Sequence, residues 1–323
     1  MLFDTPLKHR IWYKLLILAI IVIMGWLVLR RWWENTEASE NFEGLSDASL
    51  SLARIQGSEK YKLVSNPYED PYYVNIYVHL HIPEAHIPEE VDWILKTTQA
   101  SPESSLVVDV GCGTGTAISA LLKQGYENVY GVDSSQAMID RAKEKNPGVN
   151  IHCAKADVIT DPMLFDRGTC THILCLDKTI YDISDKRAFF RHCYAWLKPG
   201  GVLALHLVEP DKYNPQPLLS YKNSIFADEA SRRAERSVHL PENVSCMTKA
   251  LRGGDIVETF TCGETGIVRQ IDRKMYMESP NDILALAQKC GFIPTALKSS
   301  QPFVTRVFPD DPHQQIVLLE RAL

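Results

Sequence analysis

Two hydrophobic patterns divide the chain. Residues 11–29 are apolar almost without interruption, broken only by Lys14. After residue 66, short apolar runs alternate with stretches of helical periodicity. Residues 106–110 (Leu-Val-Val-Asp-Val) read as a short buried strand. Glycines follow at 111, 113 and 115, then a helical stripe of Ile118, Leu121 and Leu122 that Gly125 can end. Residues 129–132 predict a second strand ending at Asp133. Met138, Ile139 and Ala142 predict a helix stopping before Pro147. Residues 150–154, 170–176 and 202–207 predict three more strands, with a helix carrying Phe189, Phe190, Cys193 and Trp196 before the last of them. Ser279-Pro280-Asn281-Asp282 reads as a capped helix start, and residues 292–297 and 316–319 as two final strands. Strands alternating with helices predict an α/β domain with a doubly wound sheet.

The N-terminal apolar run sets a second expectation. At ~1.5 Å per residue, residues 11–29 span roughly 28 Å, the hydrocarbon thickness of a bilayer. Trp12, Tyr13, Trp26, Trp32 and Trp33 supply interfacial aromatics. Arg30-Arg31-Trp32-Trp33 stands where a signal peptide would carry small residues, so a retained single transmembrane helix is expected rather than a cleaved leader. The division expected is a tail over 1–10, the anchor over 11–29, a flexible acidic linker over 30–66 and one domain over 67–323. The linker carries Glu34, Glu37, Glu40, Glu43 and Asp47 among polar residues and few large apolar ones.

A net charge of −6 and no basic stripe argue against a nucleic-acid partner. The eight cysteines form no Cys-x-x-Cys pair and read as reduced thiols, which places the domain on the cytosolic side of the membrane. Basic residues flank both ends of the anchor, so charge alone does not set its orientation. Asn243-Val244-Ser245 is a formal sequon. His79 and His81 would share a face if they lay on a strand, but no third ligand is near, and no metal site is expected.

The run Asp109-Val-Gly111-Cys112-Gly113-Thr-Gly115 resembles motif I of class I S-adenosylmethionine-dependent methyltransferases. Dinucleotide dehydrogenases space their glycines differently. The resemblance continues through Asp133, Asp157 and Leu197-Lys198-Pro199-Gly200-Gly201, covering about residues 106–207, with a weaker echo to the C-terminus. It implies a seven-stranded sheet in the order 3-2-1-4-5-7-6 with strand seven antiparallel. It also implies S-adenosylmethionine as cofactor, held by Asp109, Gly111, Cys112, Gly113 and Gly115. Asp133 and Ser134 would stand at the ribose, and Asp157 and Val158 at the adenine. Asp133 can accept two hydrogen bonds from ribose hydroxyls, while Ser134 can cap the helix that follows.

Methyl transfer asks chiefly for alignment. Asp177, just past strand four, and His206, near the end of strand five, are the candidate bases. The family's Asn/Asp-Pro-Pro-Tyr box is absent, since Leu176-Asp177-Lys178-Thr179 takes its place, and this argues against methylation of nucleic-acid bases. Two regions would shape the acceptor site. One is the tyrosine-rich segment 68–96, with a helix from Pro88. The other is an insertion over 209–277, whose extended runs 244–251, 256–262 and 267–277 predict an antiparallel cap. There Tyr213, Tyr221, Arg269 and Arg273 are the polar residues of interest. The expected activity is methyl transfer to a small-molecule or lipid acceptor. The alternatives are a catalytically silent adenosine-binding module at a membrane and an aminopropyl transferase on the same fold.

Overall fold

The computed structural model describes residues 24–25, 61–64, 66–81, 86–146, 152–213, 236–240, 244–250, 256–262, 266–294, 304–308 and 312–322. The expected anchor therefore lies outside the described residues, apart from Met24 and Gly25, which are helical. No helix among the described residues is long and apolar enough to cross a membrane. The chain divides into two units, Met1–Tyr61 and Lys62–Leu323. The second unit is built on two sheets.

A mixed sheet forms its centre. Strands β2 (Val107–Val110), β3 (Val129–Asp133), β4 (His152–Lys155), β5 (Cys170–Cys175) and β6 (Leu197–Val208) pair in parallel, in the order β4-β3-β2-β5-β6. The antiparallel β13 (Gln314–Arg321) continues from β6. Two short strands, β11 (Phe292–Pro294) and β12 (Val304–Val307), share the outer edge of β13. The sixth strand expected over 292–297 is described over Phe292–Pro294 as β11, and β12, which the sequence reading did not foresee, makes an eighth member.

Alternation along the strands sends side chains to two faces. Val108, Ile173, Cys175, Leu203, Leu205 and Leu207 pack against the inner stripes of helices α5 (Lys186–Trp196) and α6 (Pro280–Lys289). Val107, Leu174, Ala204, Ile316 and Leu318 pack against α2 (Ile87–Thr97), α3 (Thr116–Lys123) and α4 (Gln136–Lys145). Helix starts are capped locally. Asp185 accepts from the Ala188 N–H and Ser279 from the Asp282 N–H, with Pro280 in the first turn.

The 209–277 insertion does form an antiparallel sheet, larger than the three runs expected. Strands β7 (Arg236–Leu240), β8 (Val244–Ala250), β9 (Ile256–Cys262) and β10 (Val268–Arg273) pair in sequence. A fifth strand, β1 (Tyr61–Val64), lies beside β10, in residues assigned above to the flexible linker. Helix α1 (Pro71–His81) packs on this second sheet. Tyr73, Phe260, Ile271, Cys246 and Val64 form its core, with Tyr68, Tyr72, Ile76 and Tyr77 against it. Because 79 and 81 lie in a helix, the two positions are about 200° apart and lose the shared face of a strand.

Candidate active site

Every parallel strand ends at the same edge of the sheet, and a cavity of about 400 Å³ opens there. Its floor begins where β2 gives way to the glycine turn. The N–H groups of Gly111 and Cys112 both donate to the Val132 carbonyl, at 2.8 and 3.1 Å, which folds the turn over the end of β3. Gly111 takes a φ of +68°, and a Cβ there would fall 2.3 Å from Thr179 Cγ2, so neither the backbone nor the space admits a side chain. Gly113, at φ +49°, has nothing within 4 Å of where a Cβ would stand. Its N–H donates to Asp133 Oδ2 at 2.9 Å, and both residues line the cavity.

Asp133 is thereby fixed by two backbone donors, because its Oδ1 also accepts from the Ser135 N–H at 2.9 Å. Burial raises its pKa, and these two bonds oppose the shift. Ser134 lines the cavity, but it does not cap the helix. Ser135 does, accepting from the Met138 N–H at 3.0 Å and donating to the Tyr68 carbonyl. The cap falls one residue later because Asp133 draws the chain round through the Ser135 N–H. Asp157 and Val158 line the far end. Asp157 is exposed and turns Oδ1 onto the Ile159 N–H at 2.9 Å, while Val158 is buried.

Other expected ligand residues stand elsewhere. Gly115 lines no described cavity; its Cβ position lies 3.1 Å from that of Ala142, so it brings α3 close to α4. The Cys112 thiol points to Cys153, with sulfurs 3.9 Å apart beside Gly131. Asp109 and Cys112 line a second, smaller cavity of about 40 Å³ behind the glycine turn. Burial first, and then the neighbouring Asp133, push the Asp109 carboxyl up to about 8.

Asp177 lies where the two cavities meet and lines both, as do Tyr77, Gly111, Gly113 and Thr179. It and Lys178 adopt φ values of +44° and +68°. Successive left-handed residues other than glycine cost about 1–2 kcal/mol each and persist only where their surroundings hold them. Here Tyr77 donates to Asp177 Oδ2 at 3.1 Å, and the Lys178 ammonium donates to Oδ1. Burial alone would lower the Lys178 pKa, but Asp177 outweighs it and leaves the lysine raised.

His206 lines neither cavity. It shares the parity of Ala204 on β6 and so faces α2, behind the Asp177–Lys178 turn. It stacks on Phe308, with ring centroids 4.9 Å apart, and meets Gln314 Oε1 through Nε2 at 2.9 Å. Burial pulls its pKa down to about 4, with Lys178 adding to the effect.

Of the cap-side wall, the sequence reading named Arg273 and, in the tyrosine-rich segment, Tyr68, and it missed Asp182 and Tyr276. Arg273 forms a two-point pair with Asp182, with Nε to Oδ1 at 3.2 Å and Nη2 to Oδ2 at 3.0 Å. Tyr68 donates to the same carboxylate at 3.3 Å, and its ring lies under the guanidinium. These three residues, with Tyr276, line the larger cavity. Arg269 instead pairs with Asp70 and stacks on Tyr72. Tyr213 is largely buried against the main core, and Tyr221 lies outside the described residues.

The family profile described as a methyltransferase domain matches residues 107–201. A ubiquinone biosynthesis O-methyltransferase of Coxiella burnetii is 36% identical over 102 residues, which is 30% of this chain and 41% of that protein. The chain thus spans about two fifths of the length of that curated relative. Among solved structures, CalS10, an amino pentose methyltransferase from Micromonospora echinaspora with S-adenosylmethionine bound, superposes with a TM-score of 0.53 at 19% identity. That match covers 80% of this chain and all of the other. The CcbJ methyltransferase of Streptomyces caelestis gives 0.53 at 17% identity, covering 71% and 88%. Residues 107–201 thus match a methyltransferase domain, and the α/β fold around them is shared with solved S-adenosylmethionine-dependent methyltransferases.

Proposed function

We propose that the protein is a membrane-anchored methyltransferase that uses S-adenosylmethionine to methylate a small-molecule or lipid acceptor. The observation that carries this reading is the Gly113–Asp133 pair. A part-buried carboxylate is held by a backbone N–H at the floor of a cavity, with open space above the glycine. The cavity volume suits one nucleoside-sized ligand, near the low end of about 300–1,000 Å³ for such sites. Asp133 would accept the ribose hydroxyls, Asp157 would accept from the adenine amine, and Gly111 and Gly113 would let the ligand approach the backbone. Bound there, S-adenosylmethionine supplies a methyl group already activated on a sulfonium sulfur. The protein's share would be to orient the acceptor, and Asp177, held from both sides by Tyr77 and Lys178, is the residue we assign to that end.

Residues 11–29 would serve as the anchor, with the domain on the cytosolic side and the acceptor an amphiphilic molecule held at or near the bilayer. Support for this comes from the length and composition of that stretch. Calorimetry on the full-length chain tests the cofactor. S-adenosylmethionine should bind more tightly than NAD, and the reverse order would refute the reading. Protease added to intact microsomes tests the anchor and its orientation. The domain should sediment with membrane and be digested; a protected domain, or a glycan on Asn243, would reverse the assignment.

A further inference from the structure

Tyr77 reaches the junction of the two cavities from α1. It is half-buried there and lines both of them, together with Asp177, Gly111 and Gly113. A phenol carries one hydrogen, and Tyr77 gives it to Asp177 Oδ2 at 3.1 Å. Burial first, and then the charge of Asp177, raise the Tyr77 pKa, so the hydrogen stays on the phenol. Its oxygen therefore offers lone pairs to a ligand in the cavity. Tyr68, with its ring centroid 6.3 Å from that of Tyr77, repeats the arrangement and donates to Asp182 at 3.3 Å. The two carboxylates differ. Arg273 takes both oxygens of Asp182, whereas at Asp177 the Lys178 ammonium holds Oδ1 and the tyrosine meets Oδ2. A proton can thus pass to Asp177 along a bond already made. The carboxylate is aimed at a positive φ of +44°, the kind of local strain found where geometry serves a site. The other candidate base, His206, lines neither cavity. Among the described residues, five aspartates line the larger cavity against Arg273 and Lys274, so its field disfavours an anion.

Resting on the methyltransferase reading above, we infer that Tyr77 is a catalytic residue for an uncharged hydroxyl acceptor, taking the acceptor's proton at Oη while its own passes to Asp177 Oδ2. The acceptor hydroxyl donates to Oη and turns a lone pair to the methyl carbon. As the acceptor oxygen bonds to that carbon, the carbon–sulfur bond breaks and its electron pair stays on sulfur. The oxygen becomes positively charged and strongly acidic, so a weak base suffices to receive its hydrogen. That hydrogen moves to Oη, the former phenol hydrogen moves to Oδ2, and Asp177 ends as a neutral acid that releases the proton to water. Chemistry separates the acceptor classes. An alkylated amine is stable as an ammonium and has no need of this route. A carboxylate has no hydrogen for Oη and meets the aspartates of the cavity.

The test uses the full-length chain and three ring-matched probes, phenol, aniline and benzoate, each with methyl-labelled S-adenosylmethionine. Label should pass to phenol ahead of the other two. Tyr77→Phe keeps the ring and removes the route, so it should slow that transfer by about 10²–10⁴-fold in kcat with cofactor affinity unchanged. The parent should also turn over more slowly in D₂O, and Tyr77→Phe should lose that isotope effect, which a merely structural role would not move. Independently of turnover, chain labelled with 13C at tyrosine Cζ gives one signal that Tyr77→Phe lacks. That signal should shift when phenol is added and stay in place with benzoate. A signal that phenol does not move, no label on phenol, a preference for aniline or benzoate, or a kcat within about twofold of the parent in Tyr77→Phe would overturn the inference while leaving the methyltransferase reading in place. A chain that binds no S-adenosylmethionine would overturn that reading itself.

Discussion

Replacing Asp133 with Asn keeps the side chain's shape and changes only its hydrogen-bonding capacity. The carboxylate accepts from Gly113 N–H through one oxygen and from Ser135 N–H through the other, both at 2.9 Å. An amide has one acceptor oxygen, so whichever way it turns, its NH₂ faces a backbone donor. The residue then loses one of those bonds, and it also loses the charge that would strengthen contacts to two ribose hydroxyls. A hydrogen bond to a charged group is worth about 1.5–3 kcal/mol. Cofactor affinity should therefore fall by roughly 10–160-fold. Titration calorimetry with S-adenosylmethionine reads this directly, and a parallel melting curve shows whether the variant is folded. A folded Asp133→Asn chain binding within about twofold of the unaltered one would show that the ribose does not rest on this residue.

Two further outcomes follow from the glycine turn and its neighbours. Asp109 has a pKa raised to about 8, so the folded state holds this proton where the unfolded chain has released it. Stability from this group is fullest below about pH 4 and is lost as pH rises towards 8. Melting temperatures of Asp109→Asn should flatten across that window, and a slope equal to the parent's would refute the assignment. Gly111→Ala drives a Cβ into Thr179 at a positive φ and should cost about 1–3 kcal/mol. In urea unfolding, Gly111→Ala/Thr179→Ala should lose less than the sum of the two single changes, whereas strict additivity would mean the two side chains do not collide.

What could be read in the sequence was what neighbouring residues decide. The segment from β2 to β6 was legible because its central strands, β2 and β5, are buried apolar runs followed at once by turn residues, and Asp133 and Gly113 sit at such junctions. Ser134 was named for a cap that Ser135 makes, because two adjacent serines look alike until Asp133 chooses between their N–H groups. β1 was read as linker because its exposed lysine and leucine hide a strand whose partner, β10, lies about 200 residues on. β12 is only four residues long and needs β13 beside it. Arg273 could be picked out as a polar residue of the insertion. Its partner could not, since 91 positions separate it from Asp182 and no local signal joins them.

The wall made by Tyr68, Asp182 and Arg273 also bears on how the domain matures. The floor of the cavity comes from consecutive strands and can form early, since its contacts close short stretches of chain. The wall needs three segments that are far apart in sequence, and closing longer loops adds about 0.6 kcal/mol for each doubling of length. Arg273 ends β10, so its pairing with Asp182 joins the insertion's sheet to the main domain. On the ribosome, the residues of the glycine turn emerge long before the arginine that completes the enclosure. A chain ending short of Arg273 therefore carries the floor without its wall, and the closed cavity depends on segments both before and well after the glycine turn.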